Sequence, residues 1–343
     1  MRPAPAKIAV LGAGSWGTTF AKVVADCGAE SGTAVQLWAR RAEVAEEINA
    51  LHLNSRYLGD IGLPANVTAT ADVSQALAGA ALVVLAVPAQ TLRAQLRAVR
   101  GHMPAGAVIV SLMKGLERGT DARMSQIIEQ ELDWPPEAIA VVSGPNLAME
   151  IAREEPTASV VACPDAETAA WIAAACTPDY FRPYTNTDLI GVEIGGIVKN
   201  VIALAVGICD GRGMGDNTKA SVITRGLAET TRLALALGGQ LETMSGLAGL
   251  GDLVATCSSP LSRNRTAGRL LGEGRSLVEV NDAMTQTAEG IKSGPAVLDL
   301  ARGLGIEMPI TEAVVHVLEG ELTVDDMATR LLGRELKSEG EKA

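Results

Sequence analysis

Residues 190–208 form an almost unbroken apolar run, and Glu193, Lys199 and Asn200 stand inside it. A run of this length is either a membrane span or the central helix of a large core, and each surrounds an ammonium ion differently. Two charged groups and an amide in the interior, with no second span to accompany it, favour the core helix. Lys199 then has two readings. Its stem can lie along apolar surface while its head reaches water. Alternatively, the head is held where a site pairs or uses it, because an uncompensated buried ammonium is costly. Burial also lowers a lysine pKa, which suits proton transfer near neutral pH.

The chain of 343 residues is long enough for two domains, each with its own core. With 48% hydrophobic and 20% charged residues, the composition is that of a globular protein rather than a disordered one. A formal net charge of -11 argues against general nucleic-acid binding, so an anionic ligand must be met by local clusters of positive groups. Cys27, Cys163, Cys176, Cys209 and Cys257 form no CxxC pair and lie in or beside apolar segments, as reduced core thiols in a cytoplasmic protein would. Residues 8–11 are too short for a signal-peptide core. His52, His102 and His316 have no metal-ligand spacing, and no metal site is expected.

Short Val-, Ile- and Ala-rich runs at 8–11, 34–38, 66–69, 82–87, 108–112, 139–142, 158–162 and 180–183 read as strands. Between the first two, Phe20, Val23, Val24 and Cys27 recur at helical spacing and Gly28 supplies a stop. Alternating strand and helix predicts a mostly parallel sheet covered on both faces. Beyond residue 188 the pattern is helical, at 188–210, 216–237, 262–271, 289–303 and 310–319. The predicted architecture is therefore an α/β Rossmann-like domain over 1–188 with a parallel-sheet core, followed by an all-α domain over 189–343. Residues from Arg334 onward read as a charged, frayed tail.

Gly12-Ala13-Gly14-Ser15-Trp16-Gly17 follows the first strand and opens the first helix. In that setting Gly12 permits the tight turn, Gly14 lets the backbone approach a pyrophosphate, and Gly17 allows close helix packing, with the helix N-terminus toward the anion. After the second strand, where an NAD-selective site usually carries a carboxylate, the chain reads Trp38-Ala39-Arg40-Arg41. Guanidinium groups there bind a ribose 2′-phosphate, so NADP(H) is favoured and NAD(H) remains possible.

Further clusters lie where apolar segments give way to loops. Lys114 follows the fifth strand, at the strand ends that face the ligand crevice in such sheets. Asp252 stands in a glycine-bounded turn, where a helix cap is the ordinary explanation. Ser262-Arg263-Asn264 opens a helical segment, and hydroxyl, guanidinium and amide donors at a helix start suit a phosphate; an ordinary capped surface helix is the alternative. The glycine-rich 210–215 segment follows a helix and lacks a Walker lysine, so it reads as a hinge between helices.

In combination these segments, with Met113-Lys114-Gly115, Ser143-Gly144-Pro145-Asn146, Lys199-Asn200-Val201, Gly215-Asp216-Asn217 and Gly251-Asp252-Leu253, resemble the bacterial-type NAD(P)-dependent glycerol-3-phosphate dehydrogenase family. The resemblance implies reversible reduction of dihydroxyacetone phosphate to sn-glycerol 3-phosphate, for phospholipid synthesis, by a cytoplasmic homodimer. It implies Lys199 as the proton-transfer group, Lys114 as a second active-site lysine in contact with substrate and cofactor, and Asp252 as a carboxylate that orients the lysine and offsets charge. Asn200, Ser262, Arg263 and Asn264 would bind the substrate, with Gly144 and Asn146 in the substrate loop. Asn146 departs from the Ser or Thr of many relatives. Gly12, Gly14, Ser15, Trp16, Gly17, Arg40, Arg41, Ala148, Arg263, Thr287 and Glu289 would line the cofactor site, although Thr287 and Ala288 depart from the family's Val-rich segment. The alternatives are a related reductase of the β-hydroxyacid dehydrogenase or ketopantoate reductase type, and a non-catalytic dinucleotide sensor. A β-hydroxyacid dehydrogenase usually separates its lysine and asparagine, which are adjacent here, neither reductase predicts Ser262-Arg263-Asn264 as a phosphate clamp, and a sensor leaves Lys199, Lys114 and Asp252 without a task.

Overall fold

A computed structural model describes residues 2–284 and 288–327. Eight strands form one sheet: β1 (Lys7–Leu11), β2 (Ala34–Trp38), β3 (Val67–Thr70), β4 (Leu82–Leu85), β5 (Val108–Ser111), β6 (Ile139–Ser143), β7 (Thr157–Ala162) and β8 (Phe181–Asn186). Their order is β3-β2-β1-β4-β5-β6-β7-β8. The first six are parallel, β7 runs antiparallel to β6, and β8 is parallel to β7. Every residue of β4, β5 and β6 is buried, which is why these strands read as continuous apolar runs. The mostly parallel sheet expected from the sequence is present. β8 reaches three residues beyond the predicted 180–183 run, because its ladder with β7 continues through Asn186 while its edge position leaves Tyr184 exposed.

The chain order reverses between β1 and β4, so a crevice opens at the carboxyl ends of these strands. Helix α1 (Ser15–Cys27) starts there. Among the described residues no strand follows Asn186, and Asp188 starts the helical part by accepting the amides of Gly191 and Gln240, both at 2.8 Å. Six helices matter for the site and its support: α2 (Leu189–Gly211), α3 (Asp216–Ala236), α4 (Asp252–Ser258), α5 (Arg263–Gly272), α6 (Glu289–Gly303) and α7 (Pro309–Glu319). By length and composition α2 matches a membrane span, yet 89% of its span-length window is buried inside the fold. It is the axis around which the other helices pack.

Backbone, not side chains, makes the tightest of these contacts. A Cβ added at Gly207 would lie 2.1 Å from the Arg265 carbonyl, and one at Gly211 would lie 2.2 Å from that of Arg269. The reciprocal additions at Gly268 and Gly272 would fall 2.1 Å from the Leu204 carbonyl and 2.4 Å from that of Ile208. Glycines four apart on α2 thus interlock with glycines four apart on α5, so α5 is fixed against the C-terminal end of α2.

Two buried carboxylates add specific joints. Glu193 of α2 accepts from Arg123, and from the Ser125 amide at 3.0 Å and hydroxyl at 2.6 Å, tying α2 to the start of the helix Met124–Leu132 beneath the sheet. Glu229 of α3 accepts the amides of Ile310 and Thr311 at 2.6 and 3.2 Å, filling the open N-terminus of α7; burial pushes its carboxyl up to about 7. Residues 241–258 hold short elements that the sequence does not announce. The helix Leu241–Ser245 is followed by a π-helical turn over Leu247–Gly251 and then by α4. The predicted tail from Arg334 lies outside the described residues.

The glycine interlock predicts that Gly268→Ala destabilises the fold by about 1–3 kcal/mol, because backbone on the facing helix cannot yield as a side chain would. A urea transition would show this as a lower midpoint. An unchanged midpoint would show that the two helices have slack.

Candidate active site

The carboxyl ends of the strands and the starts of α4, α5 and α6 enclose a cleft of about 830 Å³. Its nucleotide end is built from the Gly12–Gly17 turn. Gly12 has φ +122, and a Cβ there would sit 2.4 Å from the Ala86 carbonyl; one on Gly17 would sit 2.0 Å from the Gly12 carbonyl. These two positions admit only glycine. A Cβ at Gly14 would meet no atom within 4 Å and would instead enter the cleft, in the space a ligand's phosphates need. The start of α1 lines this space with Ser15, Trp16 and Gly17, where a helix N-terminus presents its N–H groups to an anion. Arg40, which is exposed, and Arg41, at 3.7 Å from Glu43, form the rim. Ala148 lines the same wall, where its carbonyl accepts from Thr19 at 3.2 Å.

At the other end, one carboxylate joins two lysines. Asp252 is 1% exposed, and its oxygens lie 2.6 Å from Lys114 Nζ and 3.1 Å from Lys199 Nζ. The π-helical turn delivers it to the first position of α4, so it pairs lysines rather than capping a helix. Lys199 Nζ also donates to Thr256 Oγ1 at 2.6 Å, and Thr256 in turn donates to Asp252 Oδ1 at 3.2 Å. Lys199 is 8% exposed, which removes the snorkelling reading. Lys114 Nζ donates to the Gly144 carbonyl at 3.0 Å. Burial holds the Lys114 ammonium down to about 8; Asp252 opposes that shift, and the neighbouring positive Lys199 reinforces it.

An amide network fixes the third wall. Asn200 Nδ2 donates to the carbonyls of Lys114 and Gly196, both at 3.3 Å, while its Oδ1 accepts from Asn264 Nδ2 at 2.9 Å. Asn264 Oδ1 accepts the Gly290 amide at 2.9 Å, so α2, α5 and α6 meet through two side chains. Ser262 caps α5 by accepting the Arg265 amide at 3.2 Å, leaving its own O–H to point elsewhere. Arg263 and Glu289 both line the cleft, and burial raises the Glu289 carboxyl pKa against the pull of Lys292 and Arg263.

Several polar atoms buried here have no protein partner among the described residues: both amide atoms of Asn146, Trp16 Nε1 and Glu289 Oε2. Unmade hydrogen bonds concentrated along one cleft are what a polar ligand would satisfy. Together with the open space at Gly14, they fit a dinucleotide along the wall from Arg40 to Glu289.

Of the sequence-predicted residues, Gly144 and Asp252 stand behind the cleft wall and act on it through Lys114 and Lys199, while Thr287 lies outside the described residues. Sequence reasoning missed Thr256 and Tyr57, both on the wall. Thr256 was detectable as the residue one helical turn after Asp252; Tyr57 has no sequence signal beyond being an aromatic in a polar segment. His316 gathers with Glu319 and Glu321 at the end of α7, outside the cleft, with ligand atoms within 4.8 Å of one another.

Comparison with known proteins matches residues 7–169 to the N-terminal and 188–329 to the C-terminal model of NAD-dependent glycerol-3-phosphate dehydrogenase. The glycerol-3-phosphate dehydrogenase [NAD(P)+] of Thermobifida fusca is 56% identical over 333 residues, covering 97% of this chain and 98% of the relative. The chain belongs to the NAD-dependent glycerol-3-phosphate dehydrogenase family. The corresponding Streptomyces griseus protein is 57% identical over 335 residues, covering 98% of each chain. A crystal structure of the Coxiella burnetii glycerol-3-phosphate dehydrogenase superposes with a TM-score of 0.91 at 38% identity, covering 97% of this chain and all of the other.

In this family member, the amine-modification rate of Lys114 should rise with a midpoint near pH 8, about 2 units below that of exposed lysines. Asp252→Asn should move the midpoint lower still, because the carboxylate favours the ammonium form. A Lys114 midpoint equal to that of surface lysines would contradict the electrostatic description.

Proposed function

We propose that the enzyme catalyses the reversible NAD(P)H-dependent reduction of dihydroxyacetone phosphate to sn-glycerol 3-phosphate. The observation that carries this reading is the buried Lys114–Asp252–Lys199 cluster facing Arg263 across one cleft. It sets two lysines and a guanidinium suited to a phosphate in the lining of the same cleft, and family membership supports the substrate.

A nicotinamide dinucleotide held along the wall from the Gly12–Gly17 turn to Glu289 would supply the hydride for reduction and receive it in oxidation. Lys199 donates a proton to the substrate's central oxygen as negative charge develops there, and takes it back in oxidation. Thr256 and Asp252 hold its Nζ on one side, leaving its remaining N–H toward the cleft. Lys114, held by Asp252 and Gly144, presents a second positive group to the same oxygen. Arg263 binds the phosphate with charge-assisted bonds, supported by the Ser262 hydroxyl and the remaining Asn264 N–H. Asn200 fixes the Lys114 backbone, and the free amide of Asn146 reaches the substrate's hydroxyl end. Gly12, Gly14, Ser15, Trp16, Gly17, Ala148 and Glu289 hold the dinucleotide, with Arg40 and Arg41 on its 2′-phosphate, so NADPH is preferred to NADH.

In this reading residues 1–188 are the dinucleotide-binding domain and 189–343 the substrate and catalytic domain, with the cleft lined from both. The family also supports a cytoplasmic homodimer that supplies glycerol 3-phosphate for phospholipid synthesis. A ketopantoate or β-hydroxyacid reductase would leave the Arg263 end without a ligand, and a sensor would not need two lysines on one buried carboxylate.

Lys199→Met should fold and bind NADPH yet lose about 10²- to 10⁴-fold in turnover with dihydroxyacetone phosphate. Near-normal turnover in the folded variant would remove Lys199 from proton transfer. Arg40→Asp combined with Arg41→Ala should weaken NADPH far more than NADH, since only NADPH has the 2′-phosphate; an unchanged ratio of dissociation constants would refute the selectivity.

A further inference from the structure

Asn54 belongs to none of the groups described so far, and it is fully buried. Its Nδ2 donates to the Ala13 carbonyl at 3.1 Å and to Thr18 Oγ1 at 2.8 Å. Because a backbone carbonyl only accepts, the first contact fixes which end of the amide faces the turn. Ala13 is the central residue of the Gly12-Ala13-Gly14 turn, and Thr18 donates its own amide to the Gly14 carbonyl at 2.9 Å. Asn54 therefore grips the phosphate-facing turn on both sides of Gly14. An anion site of this type works only while the N–H groups point at the ligand and the carbonyls point away. The Ala13 carbonyl is met instead by the fully buried Asn54 side chain, which is its donor.

The same residue shapes a second wall. The Asn54 carbonyl accepts the amides of Tyr57 and Leu58 at 3.0 and 2.9 Å, closing the short helix Ser55–Leu58 that presents Tyr57 to the cleft. Ser15 Oγ closes the circuit by donating to the Tyr57 carbonyl at 3.4 Å. One side chain and its own backbone thus set the spacing between the phosphate turn and the Tyr57 wall.

We infer that Asn54 is a positioning residue for the dinucleotide: it holds the Gly12–Gly17 turn in its anion-binding orientation and locks the Tyr57 segment to it. This rests on the reading that the cleft binds NAD(P)H.

The test is isothermal titration of Asn54→Asp and Asn54→Ala with NADPH and NADH, together with steady-state kinetics. Asn54→Asp keeps the shape but has no N–H for the Ala13 carbonyl. Both variants should raise the Kd of both cofactors by about ten- to hundredfold in the same proportion, because the pyrophosphate is common to them. The KM for dihydroxyacetone phosphate at saturating cofactor and kcat should stay within about threefold. Thr18→Val, which spares the Ala13 contact, should have a smaller effect. Asn54→Ser, able to donate to one acceptor but not both, should fall between and covers the case in which the larger changes unfold the chain. A folded Asn54 variant with wild-type Kd for NADPH, or a loss confined to the substrate KM, would overturn the inference. Failure of the wild-type protein to bind NADPH would instead overturn the cofactor reading itself.

Discussion

Everything at the substrate end depends on one carboxylate shared by two ammonium groups. Asp252, buried at the first position of α4, balances one of the two charges on Lys114 and Lys199 and leaves the other unbalanced. A buried excess positive charge is unfavourable in the free protein and favourable once a phosphorylated, oxygen-rich substrate arrives. It is most favourable when the substrate's central oxygen becomes anionic. The cluster therefore stores its electrostatic cost for the moment at which charge develops, which is how preorganised groups lower a barrier.

Such a cluster holds only if its three elements cannot drift. Lys114 comes from the end of β5, Lys199 from the middle of α2 and Asp252 from a π-helical turn, and no local contact along the chain connects them. Asn200 of α2 ties the first to the helix that carries the second, by donating to the Lys114 carbonyl. The interlocked backbones of α2 and α5 fix the second relative to Arg263. Asn264 then ties both helices to the start of α6, so that Glu289 takes its place on the nucleotide wall. Two glycine pairs and two asparagines, none of them able to do chemistry alone, set the geometry of the residues that do.

The sheet, the phosphate turn and the central helix were legible from sequence because each has a periodic or positional signature. Fully buried strands read as apolar runs, Gly12, Gly14 and Gly17 sit at fixed offsets, and Lys199 stands out against nineteen apolar-run positions. Asp252 was legible only through family resemblance; its local glycines point to a cap, and nothing in the string shows that a π-helical turn will aim it inward. Thr256, Tyr57 and Asn54 escaped for a related reason. Their partners are 57, 42 and 41 residues away in the chain; Thr256 is marked only by its place one turn after Asp252, and Tyr57 and Asn54, in a polar segment, carry no signal of burial. The π-turn itself depends on Gly249, where a Cβ would lie 2.2 Å from the carbonyl of Met244 five residues earlier, a close approach that the string shows only as one more glycine.

The chain's overall charge sets a further condition on the site. With a net charge of -11, the surface repels the two anions that the enzyme must gather, so attraction has to come from short range. Arg40, Arg41, Lys114, Lys199 and Arg263 all line one cleft, and low-dielectric walls on both sides focus their field into it. Salt screens exposed pairs far more than buried ones, so the two ends of this row respond differently. On the proposed reading, the exposed Arg40 end loses hold of a 2′-phosphate as ionic strength rises, while the enclosed lysines keep their hold on the substrate. Cofactor choice thus sits at the solvent rim, where it is open to conditions and to substitution, and the chemistry sits where neither reaches it.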